Sequence, residues 1–228
     1  MLKAVLFDLD GTLLDTATDF TRVLNGLLNE HQRPLQHYEA VRRRVSDGAR
    51  AVVNLGFGID PDHPDFAALL AAFLDRYETQ IAVETTLFPG MDAQLRKLEA
   101  QGLKWGIVTN KPSRFTEPLL RALDLDGRCG SAICPDHVTH RKPDPEPIYL
   151  ACKELGVNPK EAVYVGDHRR DIDAGRNAGM ATIACAFGYI SEGESVEDWL
   201  PDYIIHHADE LETVLAQHRK KLEEAPCP

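Results

Sequence analysis

Short, mainly apolar runs alternate along this chain with stretches in which apolar residues recur every three or four positions. The runs fall at residues 3–9, 103–109, 162–166, 181–186 and 203–206, each bordered by a glycine or proline turn signal. Runs of this length without polar alternation predict strands buried on both faces. The periodic stretches, residues 92–101, 114–123, 147–155 and 169–178, predict amphipathic helices. Gly102, Gly156 and Gly179 stand where helix C-caps are expected. This alternation predicts an α/β fold with a doubly wound, Rossmann-like parallel sheet. A last helix from about residue 209 runs into a charged tail, residues 220–228, that is expected to fray.

One connection breaks the rhythm. About 70 residues separate the first strand from the Phe88-Pro89-Gly90 turn, whereas a crossover needs only about a dozen. They carry helical periodicity and no convincing strand. Val23, Leu24, Leu27 and Leu28 form one stripe, and Phe66, Leu69, Leu70, Phe73, Leu74 and Tyr77 another. The expectation is an inserted all-helical domain over residues 16–86, with residues 1–15 and 87–228 forming the α/β core.

Composition narrows the function. Hydrophobic residues make up 43% and charged ones 27%, which fits a globular fold rather than a disordered chain. A net charge of −11 disfavours nonspecific binding to nucleic acid or to anionic lipid surfaces. An anionic substrate would then need local cations at its site. No apolar run reaches the roughly 18 residues of a membrane span, and Asp8 comes too early for a signal peptide. Five cysteines without a Cys-x-x-Cys pair predict reduced thiols in a cytoplasmic protein.

Four segments carry candidate chemistry. In Asp8-Leu9-Asp10-Gly11-Thr12, Asp8 and Asp10 point to one side of an extended strand end. Strand ends of this kind are where open α/β sheets bind ligands. Two carboxylates about 5 Å apart repel by roughly 3 kcal/mol at an effective dielectric of 20, so a proton or a metal must relieve them. Thr109-Asn110-Lys111 follows the next core strand, where a hydroxyl and backbone N–H groups suit a phosphate, although taken alone a simple helix cap is the plainer reading. Lys142 sits in Arg141-Lys142-Pro143-Asp144-Pro145, whose prolines stiffen the loop and could aim it; a solvated lysine is the plainer alternative. Asp167 follows the 162–166 strand and Asp171 lies one helical turn on. Hard oxygen ligands on two strand ends suit Mg²⁺.

The four segments in this order resemble the haloacid dehalogenase superfamily, with motifs at residues 8–12, Thr109, Lys142 and residues 167–171. The insertion after the first motif resembles the family's first type of helical cap. Within the superfamily the chain resembles the phosphoglycolate phosphatase group. The nearest resemblance is to the branch acting on N-acetylmuramic acid 6-phosphate, through Val108-Thr109-Asn110-Lys111-Pro112 and Ile133-Cys134-Pro135-Asp136-His137-Val138. His168 departs from the pattern, because many members carry a small or acidic residue there.

The resemblance implies a Mg²⁺-dependent phosphomonoester hydrolase. Asp8 would be its nucleophile, forming an aspartyl-phosphate, and Asp10 its acid and base. Mg²⁺ would be held by Asp8, the Asp10 carbonyl and Asp167, with Asp171 behind them; Thr109, Asn110 and Lys142 would bind the substrate. A phosphoglycolate phosphatase and a hexose phosphomutase are the alternatives. The partner expected is a small-molecule phosphomonoester, with no nucleic acid, membrane or obligatory protein partner. In the insertion, Ser46-Asp47-Gly48-Ala49-Arg50 breaks a helical pattern and could aim Arg50 at an anionic substrate group, while Arg42-Arg43-Arg44 reads as a solvated face.

Overall fold

The computed structural model describes residues 1–224. Its sheet contains β1 (Ala4–Phe7), β4 (Lys104–Val108), β5 (Ala132–Ile133), β6 (Ala162–Gly166), β7 (Ala181–Cys185) and β8 (Tyr203–Ile205), all parallel, in the order β5-β4-β1-β6-β7-β8. Every residue of β1 and β6 is buried, which is why these strands are apolar throughout rather than alternating. Helices α5 (Met91–Ala100), α6 (Ser113–Ala122), α7 (Glu146–Leu155) and α8 (Arg169–Asn177) form the crossovers. The chain builds outward from β1 through β4 to β5, then returns to lay β6 on the other side of β1. The carboxyl ends of β1, β4 and β6 therefore border the crevice where the winding reverses.

Between β1 and α5 the chain forms a helical cap of α1 (Ala17–Glu30), α2 (Tyr38–Val45), α3 (Ala49–Phe57) and α4 (Phe66–Thr79). The α1 stripe is buried as expected. The α4 stripe divides: Phe66, Phe73 and Tyr77 are buried in the cap, whereas Leu70 and Leu74 face a cleft above the sheet. Three short strands went unforeseen. One is β5; the others are β2 (Leu14–Asp15) and β3 (Thr86–Leu87), an antiparallel ribbon at the base of the cap that corrects the expectation of no strand there. Two residues are too few to show a pattern of their own.

The final helix, α9, spans Leu211–Glu224, so residues 220–224 are helical where fraying was expected; the rest of that tail lies outside the described residues. Cys129, Cys134, Cys152 and Cys185 are free thiols, as expected, and Cys227 lies outside the described residues. No helix among the described residues is long and apolar enough to cross a membrane. The triple arginine is corrected in part. Arg43 and Arg44 are exposed, but Arg42 donates to the carbonyl of Phe187 and lies over the Tyr189 ring, tying α2 to the core.

The return from the cap is fastened by Asp19, a fully buried acid in the first turn of α1. Its carboxylate accepts the backbone N–H groups of Val83, Glu84 and Thr85, the Thr85 hydroxyl and an Arg22 N–H, at 2.7–3.1 Å. Burial alone would raise its pKa, but the hydrogen bonds from Arg22, Thr85 and Glu84 hold it below the ordinary carboxylate value. Asp19→Ala leaves those buried donors unpaired, and a loss of about 3 kcal/mol is expected, or a fall in Tm of roughly 6–12 °C for a chain of this size. Because the folded pKa is lowered, this stabilisation is complete above about pH 4 and disappears as the pH falls through the folded value. Thermal melts at pH 7 and in acid should therefore show the gap between wild type and variant closing in acid.

Candidate active site

Asp8, Thr109 and Asp167 each follow directly on the last residue of β1, β4 and β6, and Lys142 enters from the loop between β5 and α7. Parallel pairing brings these strand ends side by side: the Asp8 N–H donates to the Val165 carbonyl at 2.9 Å and the Thr109 N–H to Ile133 at 3.0 Å. The Lys142 ammonium is the centre of the cluster. It donates to Asp8 Oδ1, Asp171 Oδ1 and the Tyr164 hydroxyl, each at 2.8 Å. The Tyr164 hydroxyl in turn donates to the Val108 carbonyl, which fixes its own direction and so that of the lysine. This buried, triply bonded Lys142 is not the solvated side chain its loop sequence alone would allow. Burial would lower its pKa, but Asp171 and Asp8 hold it above the ordinary value, so it stays charged.

Carboxylate oxygens of Asp8, Asp167 and Asp171 lie within 4.8 Å of one another. Burial raises the pKa of Asp8, and Lys142 only partly opposes this. Burial, with the neighbouring charges of Asp8 and Asp171, raises that of Asp167 more strongly. Asp167 is also enclosed by backbone. It accepts from the Thr12 hydroxyl and the Tyr189 N–H at 2.8 Å each. A Cβ on Gly11 or on Gly188 would stand 2.1 Å from its side chain, so only glycine fits at either place. Asp171 directs Oδ1 to Lys142 and Oδ2 to the His168 N–H at 3.0 Å. Three close carboxylates against one ammonium form a surplus of negative charge on hard oxygen donors, and this donor set fits a divalent cation such as Mg²⁺.

Asp10 turns to the outer side of the cluster. Its Oδ1 accepts from the Thr16 hydroxyl at 2.6 Å and from Lys111 Nζ at 2.9 Å. Lys111 was named only as part of its motif, with no role of its own. It is 7% exposed, and its ammonium lies 5.0 Å from the Phe20 ring centroid and 4.8 Å from that of Tyr77. Two cap helices thus close over a lysine from the β4–α6 loop. Thr109 is buried, its hydroxyl accepting the Lys111 N–H at 3.1 Å, and Asn110 donates from Nδ2 to the Lys142 carbonyl at 3.1 Å. His168 caps α8, its Nδ1 accepting the Arg170 N–H at 3.1 Å while its ring stacks on Trp199. Burial and Arg170 push its pKa down to about 4, which keeps the imidazole neutral beside the acids.

Asp8, Asp10, Thr109, Asn110, Lys111, Lys142 and His168 line a cleft of about 460 Å³ between cap and core. Its walls carry Arg50, Lys111, Arg114, Arg141, Lys142 and Arg170, the local cations that a chain of net charge −11 needs to attract an anion. Gly48, with φ of 87°, turns the chain from α2 into α3 and brings Arg50 to this wall, where its guanidinium lies 5.4 Å from the Phe66 ring centroid. Arg170 spans the cleft and donates to the Ser46 carbonyl at 2.6 Å.

A doubly wound parallel sheet with a helical cap over its strand ends is the fold of the haloacid dehalogenase-like hydrolases. The chain belongs to the haloacid dehalogenase-like hydrolase family, which it matches over residues 5–185. It is 46% identical over 214 residues to the N-acetylmuramic acid 6-phosphate phosphatase of Pseudomonas putida, spanning 94% of this chain and 96% of that protein. It is 39% identical over 212 residues to a phosphoglycolate phosphatase of Xanthomonas campestris pv. campestris, spanning 92% and 94%. Among solved structures it resembles that of a predicted phosphoglycolate phosphatase from Haemophilus somnus 129pt, with a TM-score of 0.82 and 26% identity over 94% of this chain and 98% of that one. The chain is a phosphatase.

Proposed function

We propose that this phosphatase is a Mg²⁺-dependent phosphomonoester hydrolase that works through an aspartyl-phosphate on Asp8, and that its substrate is N-acetylmuramic acid 6-phosphate. The observation that carries the chemistry is the pairing of Asp8 with Lys142 at the carboxyl end of the central strand, with Asp10 beside it at the floor of a cationic cleft. The substrate follows the 46% identical relative of that name. We also propose that the functional division follows the fold, with residues 1–15 and 87–228 performing the chemistry and residues 16–86 choosing the substrate.

Asp8, Asp167 and the Asp10 carbonyl would hold Mg²⁺, with Asp171 supporting them; the ion supplies charge neutralisation for the incoming phosphate. Asp8 attacks phosphorus while Lys142 and the Thr109 hydroxyl bind the phosphoryl oxygens. Lys142 is held rigidly by Asp171 and Tyr164, so its charge is aimed before the substrate arrives. Asp10 gives a proton to the departing alkoxide. It then takes one from the water that attacks the aspartyl-phosphate, returning Asp8 to its carboxylate. Arg50 on the cap wall would meet an anionic group of the substrate distant from the phosphate.

Phosphate release from N-acetylmuramic acid 6-phosphate, 2-phosphoglycolate and p-nitrophenyl phosphate tests this reading. Activity should vanish in EDTA, return with Mg²⁺ and be inhibited by Ca²⁺, whose looser coordination misplaces the nucleophile. Undiminished release in EDTA overturns the metal dependence. A higher kcat/KM for 2-phosphoglycolate overturns the choice of substrate, and transfer of phosphate back to sugar would indicate a mutase.

A further inference from the structure

Three residues that line the cleft each hold a buried polar atom without a hydrogen-bond partner among the described residues: Ser46 Oγ, Tyr77 OH and Asn110 Oδ1. Native folds leave few such atoms, and three along one cleft ask for an explanation. Two of them flank Lys111. Tyr77 is 1% exposed and is set by ring contacts with Phe20, Phe73 and Phe115, so its hydroxyl has little freedom to seek a partner elsewhere. The Asn110 amide is oriented by the bond from Nδ2 to the Lys142 carbonyl, which leaves Oδ1 as an acceptor awaiting a donor. Lys111 donates one of its three N–H groups to Asp10 Oδ1, and its ammonium lies against the Tyr77 ring.

Lys111 bonds to Asp10, Tyr77 lies against Lys111, and Asn110 precedes Lys111 in the same loop. A substrate whose leaving oxygen meets Asp10 must bring its alcohol portion here. We propose that Lys111, Tyr77 and Asn110 form the leaving-alcohol subsite of this phosphatase and make it selective for an alcohol that both donates and accepts hydrogen bonds, as a hydroxylated, amide-bearing sugar does. The proposal rests on the phosphatase reading and adds the residues that choose the leaving group. Lys111 and the Tyr77 hydroxyl donate to oxygen acceptors of the alcohol, and Asn110 Oδ1 accepts from one of its hydroxyl or amide N–H groups. A two-carbon carboxylate ester such as 2-phosphoglycolate carries only acceptors at neutral pH. It would leave Asn110 Oδ1 buried and unpaired, and buried unpaired groups are how polar sites reject an analogue. The cleft volume of about 460 Å³ lies in the range of small-molecule sites of sugar size.

Tyr77→Phe is the sharpest variant, because it removes a hydroxyl with no hydrogen-bond partner among the described residues and should leave Tm unchanged or higher. Kinetics of wild type, Tyr77→Phe and Asn110→Ala are compared on N-acetylmuramic acid 6-phosphate and p-nitrophenyl phosphate. In each variant the ratio of kcat/KM for the sugar ester to that for the nitrophenyl ester should fall about tenfold, as for one lost hydrogen bond in a water-excluded site. Free N-acetylmuramic acid lacks the phosphate but keeps the alcohol portion, so its Kd, read by NMR titration without turnover, should rise about tenfold in Tyr77→Phe, while the Kd of inorganic phosphate should not follow. An unchanged ratio and an unchanged sugar Kd in both variants overturn the subsite, even if the sugar ester is hydrolysed. If wild type does not hydrolyse the sugar ester but the sugar Kd still rises in the variant, the sugar-binding role of these residues stands and the proposed substrate fails.

Discussion

Replacing Asp8 by Asn should abolish phosphate release, lowering kcat by roughly 10⁴–10⁶-fold, the scale of removing a covalent nucleophile. An amide at this position keeps the shape of the strand end and one acceptor for Lys142, but it has no charged oxygen to attack phosphorus. The fold should not suffer. Burial and the charges of Asp171 and Asp10 already work against ionisation of Asp8, so a neutral side chain relieves repulsion in the cluster, and Lys142 keeps Asp171 and Tyr164. Thermal melts without metal should accordingly give a Tm equal to or above that of wild type. Substrate labelled at phosphorus should leave label on wild-type enzyme trapped by acid quench and none on the variant. Release within tenfold of wild type would remove Asp8 from the mechanism.

Lys142→Ala should be damaging in two separable ways. The phosphoryl oxygens lose their fixed cation, for which a fall in kcat of about 10³-fold is expected. The fold also loses the ammonium that bridges Asp8 and Asp171, and breaking one side of a buried ion pair costs about 3–5 kcal/mol. Mg²⁺ should restore part of the lost Tm, since a cation that binds only the folded chain stabilises it by mass action, but it should not restore kcat. A variant that loses stability while retaining kcat would mean that Lys142 serves the fold alone.

How legible this site was depended on where each signal lay. Asp8, Thr109 and Asp167 could be read because each directly follows a buried apolar strand, and a parallel sheet gathers such ends on one edge. β5, β2 and β3 could not, since two residues hold no periodicity. Lys111 was hidden for another reason. Its partner Asp10 is 101 residues away in sequence, and the rings that enclose it come from α1 and α4, so nothing local separates it from a solvated lysine. Arg42 shows the converse: three arginines in a row suggest one exposed face, yet a helix turns about 100° per residue, and the first of them points to Tyr189.

The ribbon of β2 and β3 pairs Leu14 with Leu87 and Asp15 with Thr86, so the chain leaves the sheet and rejoins it at neighbouring points. Seen from the sheet, the whole helical excursion is one long hairpin loop whose ends are already pinned. The free energy of closing such a loop grows only logarithmically, by about 0.6 kcal/mol for each doubling of its length. The size and internal fold of the excursion are therefore nearly independent of the stability of the strands beneath it. An insert of different length or architecture could replace these four helices and leave Asp8, Thr109, Lys142 and Asp167 where they are. Under the division of labour proposed above, such a joint would let the choice of substrate change without disturbing the strand ends.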